Sequence, residues 1–191
     1  MEIEGMEHIS AGQSYIIMSN HQSYHDIFVI GSLPVFIHWM AKKELFRIPI
    51  FGWILKWIDA ISIDRDNVSK ASSSIRRAVG RIREGATVLI FPEGTRSPTG
   101  ELLPFNEGGF FLAILSHVPI VPVTINGTHH VMPKGSLRVS SGVVKVTINR
   151  PVATDSFTLK DHKILQDHIR KLFSENLRKS KDSCLADGFL T

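Results

Sequence analysis

The segment YIIMSNHQSYHD, residues 15–26, decides the fold prediction because it joins an apolar run to a helix through a polar turn. Residues 15–19 are short, apolar and rich in β-branched side chains, which is typical of a buried strand. The pattern of residues 26–30 predicts a helix that ends near Gly31. His21 is therefore expected on a strand-to-helix turn.

His21 and Asp26 can form a base and its orienting carboxylate. Five positions of a regular helix rotate by about 500°, so the two side chains can meet only if His21 lies outside the helix. The carboxylate can then accept a hydrogen bond from one ring nitrogen and leave the other as a base for a substrate hydroxyl. Two alternatives remain: ordinary residues of a turn, or activation of a nearby protein nucleophile among Ser19, Ser23 and Tyr24.

The second motif is FPEGTRS, residues 91–97, which follows a strand predicted at 87–91. Gly94 permits a tight turn at the end of that strand, and Arg96 offers a planar fork suited to a phosphate or carboxylate. Glu93 can orient Arg96 or bind a substrate hydroxyl. The alternative is a solvated turn with an exposed salt bridge.

Strand and helix patterns alternate from residue 15 to residue 125, which predicts an α/β layer architecture: a single domain with a mixed, largely parallel central sheet flanked by helices. The other predicted strands are 35–40, 60–63 and 120–125, and the other helices are 48–58, 69–83 and 108–117. The carboxyl ends of parallel strands meet at one edge, where ligands bind. Lys43 and Arg65 follow two of these strands and join the expected edge.

Two elements are predicted after residue 125. Leu137–Val139 and Val143–Ile148 read as a hairpin that turns at residues 141–142. A closing amphipathic helix is expected to pack through the stripe Ile164, Leu165, His168, Ile169, Leu172 and Phe173. The domain is predicted over residues 1–179, with a flexible C-terminal tail over 180–191.

The composition fits one globular domain, with 191 residues, 43% hydrophobic and 21% charged. A net charge of +4 and a pI near 9.3 suit an anionic substrate, an anionic lipid surface or a nucleic acid. Cys184 stands alone, which favours a reducing compartment such as the cytoplasm. The longest nearly apolar stretch, 27–41, is shorter than the roughly 20 residues of a membrane-spanning helix, and the acidic start lacks a secretory signal.

Two further sequence patterns each have more than one possible interpretation. The aromatic segment 46–58 can be core, a groove for an acyl chain or a face in contact with a membrane, and core is the commonest meaning of such a stripe. Several histidines also raise the alternative of a metal-dependent hydrolase, although a turn position for His21 breaks its helical pairing with His25. The remaining members of that set are His117, His129 and His130.

Four blocks, in order along the chain, resemble the glycerophospholipid acyltransferases, especially the bacterial 1-acylglycerol-3-phosphate acyltransferases. They are the His-x4-Asp motif at 20–26, a second block from Lys42-Lys43-Glu44-Leu45 to Ile63-Asp64-Arg65, the motif at 91–97, and Val118-Pro119-Ile120-Val121-Pro122-Val123. The resemblance implies a glycerol-3-phosphate acyltransferase-like fold. It also implies transfer of a fatty acyl group to the free hydroxyl of 1-acylglycerol 3-phosphate, which gives phosphatidic acid in phospholipid biosynthesis.

The resemblance also assigns the site and its partners. It implies that His21 is the general base and Asp26 its orienting partner, and that the acceptor is held by Lys43, Arg65, Glu93, Gly94, Thr95 and Arg96. The implied donor is acyl-CoA or acyl carrier protein, with no metal or redox cofactor and no nucleic-acid partner. The implied place is the cytoplasmic side of a membrane, in peripheral or monotopic contact with its surface.

The chain departs from the family pattern in two places. Only 19 residues precede Asn20, where the family commonly has a hydrophobic segment, so anchoring is expected to come from elsewhere or from an N-terminal anchor missing here. Residues 105–108 read FNEG, where the family often has a basic residue before the glycine. A non-catalytic lipid-binding module and a covalent acyl-enzyme on Ser23 remain as alternatives.

Overall fold

The computed structural model describes residues 1–10, 12–63, 68–136 and 138–186, and it describes only the backbone of residues 63, 68–72 and 181–186. The strands are β1 (Glu2–Glu4), β2 (Ile16–Ser19), β3 (Ile37–Lys42), β4 (Ile61–Ile63), β5 (Thr87–Ile90), β6 (Ile120–Asn126) and β7 (Lys145–Ile148). The α-helices are α1 (His25–Gly31), α2 (Phe51–Trp57), α3 (Val68–Arg83), α4 (Gly108–Ser116), α5 (Thr128–Val131) and α6 (His162–Ala186). Short 3₁₀ helices cover Met6–His8, Lys43–Arg47 and Leu159–Asp161.

The strands of the described residues form one seven-stranded sheet in the order β1-β7-β6-β2-β5-β3-β4. All neighbouring pairs are parallel except β6 with β7. Every residue of β2 and β5 is buried, as expected for central parallel strands that are covered on both faces. The mixed, largely parallel sheet predicted from the sequence is confirmed.

The two faces of the sheet carry different helices. Ile16 and Met18 of β2 pack with α3, α4 and α6, whereas Ile17 between them packs with α1. This alternation follows from the two-residue period of a strand. The β2-α1-β3 and β3-α2-β4 crossovers both step towards the β4 edge of the sheet, so right-handed connections place α1 and α2 on one face and α3 and α4 on the other.

The register brings the sequence motifs to one edge. Met18 of β2 pairs with Ile90 of β5, and Ser19 pairs with Val123 of β6. Because these strands are parallel, the residues that follow them emerge at the same carboxyl edge of the sheet. The segments that begin at Asn20, Phe91 and Gly127 therefore converge there.

The predicted hairpin is wrong. Residues 138–144 form no strand, and β7 pairs antiparallel with β6 and parallel with β1. Arg138 and Val139 are exposed, whereas Val146 and Ile148 of β7 are buried. Burial of those side chains against the apolar β6 outweighs local pairing across a turn. Leu137, where the hairpin was expected to begin, lies outside the described residues.

The C-terminal helix differs from its prediction in length and in its buried stripe. Its buried apolar side chains are Leu165, Ile169, Phe173 and Leu177, while Ile164 and His168 of the predicted stripe are exposed. The helix runs to Ala186, past the predicted domain boundary at residue 179. No glycine or proline interrupts the sequence over this range, so nothing in the chain stops the helix at residue 180.

Of the three interpretations left open for residues 46–58, core, the commonest one, does not fit the structure. Gly52 and Leu55 are buried, but most large apolar side chains of this segment are exposed. The segment forms α2, a crossover helix near the β4 edge that packs chiefly on the preceding 3₁₀ helix. Across the described residues, no helix combines the length and the apolar character needed to cross a bilayer.

Two isoleucines of α6 provide a matched test of this packing. Ile169→Ala removes a fully buried side chain, while Ile164→Ala removes one that is 64% exposed. We expect Ile169→Ala to lower the free energy of unfolding by about 2–5 kcal/mol and Ile164→Ala to change it by about 0.5 kcal/mol or less. Urea denaturation followed by circular dichroism measures both, and equal losses would contradict the assigned orientation of α6.

Candidate active site

The centre of the site is the pair formed by His21 and Asp26. His21 Nδ1 lies 2.8 Å from Asp26 Oδ2, which also accepts the backbone N–H groups of Gln22 at 2.7 Å and Ser23 at 2.9 Å. Thr128 Oγ1 donates to Asp26 Oδ1 at 2.5 Å. Because the carboxylate is surrounded by donors, it accepts the Nδ1 proton of His21 and leaves Nε2 of the neutral ring as the basic atom.

The local chain conformation makes this pairing possible, as the sequence predicted. His21 lies in the turn before α1, and Asp26 is the second residue of that helix. The His21 side chain keeps 14% of its exposure, whereas that of Asp26 is fully buried. The His21 ring can therefore be reached from outside, while Asp26 is shielded from water.

The imidazole and its backbone are held from several sides. The ring stacks on Phe91, with centroids 3.9 Å apart and an interplanar angle of 14°. The backbone carbonyl of His21 accepts a hydrogen bond from the Ser97 backbone N–H at 2.7 Å. One residue earlier, the Asn20 side chain donates to the Ile125 carbonyl at 2.8 Å and accepts from the Ile125 N–H at 2.7 Å. These bonds join the turn to β6 and to the motif at 91–97.

Glu93 is a second buried carboxylate, and it contacts backbone. Its Oε1 accepts the His21 N–H and its Oε2 accepts the Leu103 N–H, both at 2.8 Å. Burial raises the pKa of Glu93, and the bonds from Leu103 and His21, together with the positive charge of Arg170, oppose that rise. These contacts make Glu93 a positioning residue for the His21 turn, and its assignment as an acceptor ligand stays a prediction.

Arg96 lies in the same motif with part of its guanidinium unsatisfied. Its Cζ is 3.6 Å from the centroid of the Tyr24 ring, which holds the guanidinium plane by stacking. Its Nη1 is buried and has no hydrogen-bond partner among the described residues. A buried donor without an acceptor is costly, so an anion bound at this atom would remove that cost.

Lys134 lies beside the turn that contains Arg96, although its sequence context did not predict this. Its Nζ donates to the backbone carbonyl of Arg96 at 2.7 Å and lies 3.5 Å from Thr95 Oγ1. Gly94 has a φ of 71°, in the left-handed region that favours glycine, where the chain turns towards Thr95 and Arg96. In the sequence, Lys134 stands between Pro133 and Gly135 as an ordinary turn lysine, so no local pattern marks it.

Two other cations, Lys43 and Arg65, were predicted to belong to this site. Lys43 begins the 3₁₀ helix directly after β3, at the carboxyl edge of the sheet that also carries His21. Arg65 lies outside the described residues, so its role in the site stays a prediction.

The histidines that suggested a metal site do not gather into one metal-binding group among the described residues. His117 caps α4 at the amino edge of the sheet, opposite His21, with its Nδ1 3.8 Å from Asp155. His129 and His130 contact each other on α5. Among the described residues, no group of three or more His, Cys, Asp or Glu side chains is close enough to hold a metal ion.

The hydroxyl groups of Ser19 and Ser23 are engaged with backbone and not with His21. Ser23 Oγ donates to the Met132 carbonyl at 2.7 Å and accepts the His25 N–H at 3.0 Å. Ser19 Oγ donates to the Asn20 carbonyl at 3.1 Å. This arrangement favours direct use of His21 on a substrate hydroxyl over a covalent intermediate on Ser23.

Comparison with known proteins identifies the family of this chain. The family model described as Acyltransferase matches residues 1–126. The chain is 38% identical to the 1-acyl-sn-glycerol-3-phosphate acyltransferase of Limnanthes alba, over 95% of this chain and 64% of that protein. It is 34% identical to the human alpha enzyme of the same name, over 89% of this chain and 61% of that protein.

A solved structure extends the likeness to the fold. The crystal structure of the 1-acyl-sn-glycerophosphate acyltransferase PlsC from Thermotoga maritima superimposes with a TM-score of 0.81 and 30% identity, over 94% of this chain and 71% of that chain. Against the curated relatives, this chain spans 64% of the Limnanthes alba enzyme and 44% of a chloroplastic enzyme from Brassica napus, so it covers less than two thirds of their length. The chain belongs to the 1-acylglycerol-3-phosphate acyltransferase family.

Proposed function

We propose that this protein transfers a fatty acyl group from an acyl thioester to the free hydroxyl of 1-acylglycerol 3-phosphate and so forms phosphatidic acid. The observation that carries the proposal is the His21–Asp26 pair at the sheet edge that also carries Arg96, whose Nη1 lacks a partner among the described residues. A base suits the hydroxyl of the acceptor, and a cation suits its phosphate. The names of the similar proteins support the same acceptor.

In the proposed reaction, Nε2 of His21 takes the proton of the acceptor hydroxyl as its oxygen attacks the thioester carbonyl. The carbon–sulfur bond then breaks, and the thiolate leaves with the proton that His21 received. Asp26 stabilises the positive imidazolium between these two steps and keeps Nε2 aimed at the substrate. A positioned base of this kind contributes about 10²- to 10⁴-fold to the rate.

The phosphate of the acceptor is proposed to bind at the turn that contains Gly94, Thr95 and Arg96. The guanidinium supplies the buried Nη1 donor, and stacking on Tyr24 fixes its plane. Lys134, which is exposed and bonded to the Arg96 carbonyl, adds a second cation at the entrance. Lys43 and Arg65 complete the proposed set, because both follow strands that end at this edge.

The proposed donor is a thioester of coenzyme A or of acyl carrier protein, since both present the same reacting carbonyl. The acceptor is a lipid, so the proposed place of reaction is a membrane surface that the protein meets as a peripheral or monotopic enzyme. A single cysteine is in keeping with the reducing, cytoplasmic side of that membrane.

His21→Ala tests the base. We expect the folded variant to lose about 10²- to 10⁴-fold in kcat, because no other group takes the hydroxyl proton. His168→Ala, on the exposed side of α6, is the matched control and should keep the activity of the wild type. Release of free thiol from an acyl thioester in the presence of 1-acylglycerol 3-phosphate measures the rate. Wild-type turnover by folded His21→Ala would refute the proposal, and lipid binding without thiol release by the wild type would favour a binding module.

Lys134→Ala tests the anion site. The variant loses the proposed charge-assisted hydrogen bond from Lys134 to the phosphate of the acceptor, which is worth about 1.5–3 kcal/mol. We therefore expect the KM for the acceptor to rise by about 10- to 100-fold with little change in kcat. Lys160→Ala, an exposed lysine on the 3₁₀ helix before α6, serves as the control. Lys134→Arg should restore most of the affinity, since it keeps the charge. An unchanged KM for Lys134→Ala, or an equal effect of Lys160→Ala, would remove Lys134 from the site.

A further inference from the structure

A group of large apolar side chains on and before α2 is exposed. We call it the apolar face, and its members are Ile48, Ile50, Phe51, Trp53, Ile54 and Trp57. Trp53 keeps 69% of its exposure and Trp57 keeps 86%. Contiguous exposed patches of this kind mark interaction surfaces in folded proteins, whereas single exposed apolar residues do not.

The backbone fixes these side chains in their outward position. A Cβ atom on Gly52 would lie 2.2 Å from the carbonyl oxygen of Phe46, so α2 packs closely on the preceding 3₁₀ helix at this point. Ile50 has a φ of 67°, an unfavourable conformation for a β-branched residue, and its side chain is 66% exposed. Because Ile50 is not buried, packing within this chain does not compensate for that strain. The strained, exposed position points to contact with a partner outside the chain.

The charges around the apolar face are positive. Arg47 and Lys56 are exposed, and the sequence has no acidic residue between Leu45 and Ile58. The nearest acids on either side are already paired, Glu44 with Lys42 at 3.7 Å and Asp59 with Arg81. Aromatic and aliphatic side chains flanked by cations match the boundary between the anionic headgroups and the acyl chains of a bilayer.

The exposed apolar surface continues from α2 towards the start of β3. The Asp59 backbone carbonyl, two residues after Trp57, lies 3.3 Å from His38 Nδ1, and the His38 ring contacts Phe36 at a centroid distance of 5.0 Å. Phe36 is 73% exposed, and Phe28 on α1 is 69% exposed. Because α1 and α2 share one face of the sheet, these residues extend the apolar surface towards the helix that follows His21.

We infer that the apolar face docks on the surface of an anionic lipid bilayer, with Trp53 and Trp57 inserted at the level of the headgroups. A second copy of the chain fits less well. A two-fold contact would set the face against itself and bring Arg47 and Lys56 of both copies into one interface, with no acid between Leu45 and Ile58 to neutralise them. An anionic bilayer neutralises both. The inference deepens the proposed function and rests on it, because the proposed function identifies the lipid that reaches His21.

Vesicle binding without any substrate tests the docking surface. The wild type should bind vesicles of phosphatidylglycerol and phosphatidylcholine more strongly than vesicles of phosphatidylcholine alone, and brominated lipid should quench its tryptophan fluorescence. Trp53→Ser combined with Trp57→Ser should weaken sedimentation with the mixed vesicles by at least about tenfold. The matched control combines Leu159→Ser with Ile164→Ser, which removes two exposed apolar side chains near α6 and should bind like the wild type.

Three outcomes would overturn the inference: no vesicle binding by the wild type, equal binding by the Trp53→Ser/Trp57→Ser variant, or a dimer in light scattering that this variant dissociates. Acyl transfer to a short-chain acceptor that stays dispersed in water separates this test from the proposed function. Vesicle binding as expected, with no thiol release from any acceptor, supports the docking surface and refutes the acyltransfer. Acyl transfer to the dispersed acceptor by a wild type that binds no vesicle refutes the docking surface alone.

Discussion

The buried carboxylate of Asp26 is the interaction on which the site depends. It accepts two backbone N–H groups of the turn before α1, the hydroxyl of Thr128 on α5, and the ring of His21. A carboxylate with no solvent exposure is tolerated only when its oxygens are satisfied by donors, and here donors on both oxygens also shape the turn. The charge that orients the imidazole is therefore the same charge that fixes the backbone around it.

A second buried acid extends this arrangement to the turn that contains Arg96. Glu93 bridges the backbone of His21 and that of Leu103, and it belongs to the same motif as Arg96. The turn of His21 and the turn that contains Arg96 are thus connected through peptide groups, while the parallel register of β2, β5 and β6 sets their common edge. The two acids hold the chain in place, and in the proposed reaction His21 and Arg96 are the residues that meet the substrate.

Much of the fold and the contact between His21 and Asp26 could be predicted from the sequence, because those features are local. A buried strand, a turn and a helix start lie within residues 15–26, and this order alone was enough to predict contact between His21 and Asp26. Features set by distant contacts were missed or misjudged. Lys134 reaches Arg96 from a segment 38 residues away, and the two oxygens of Glu93 find backbone partners that no spacing rule identifies. The predicted hairpin failed for the same reason, since β7 is fixed by its non-local partners β1 and β6.

The aromatic segment 46–58 shows what helical periodicity alone does not predict. Its helical periodicity predicts an apolar stripe, but periodicity does not say what the stripe packs against, and in this fold most of the stripe faces outward on α2. A base on one edge of the sheet and an apolar surface beside α1 suit a reaction on a lipid that stays partly in its bilayer. The chemistry still depends on which ring nitrogen of His21 is free.

Nitrogen-15 nuclear magnetic resonance of protein labelled at histidine measures that state directly, with the His21 signals assigned by their loss in a His21 variant. At a pH where the ring is neutral, we expect a protonated, hydrogen-bonded Nδ1 and an unprotonated Nε2. A ring protonated at Nε2 would contradict it, because the nitrogen assigned as the base would then carry the proton and Nδ1 would have none to give to Asp26.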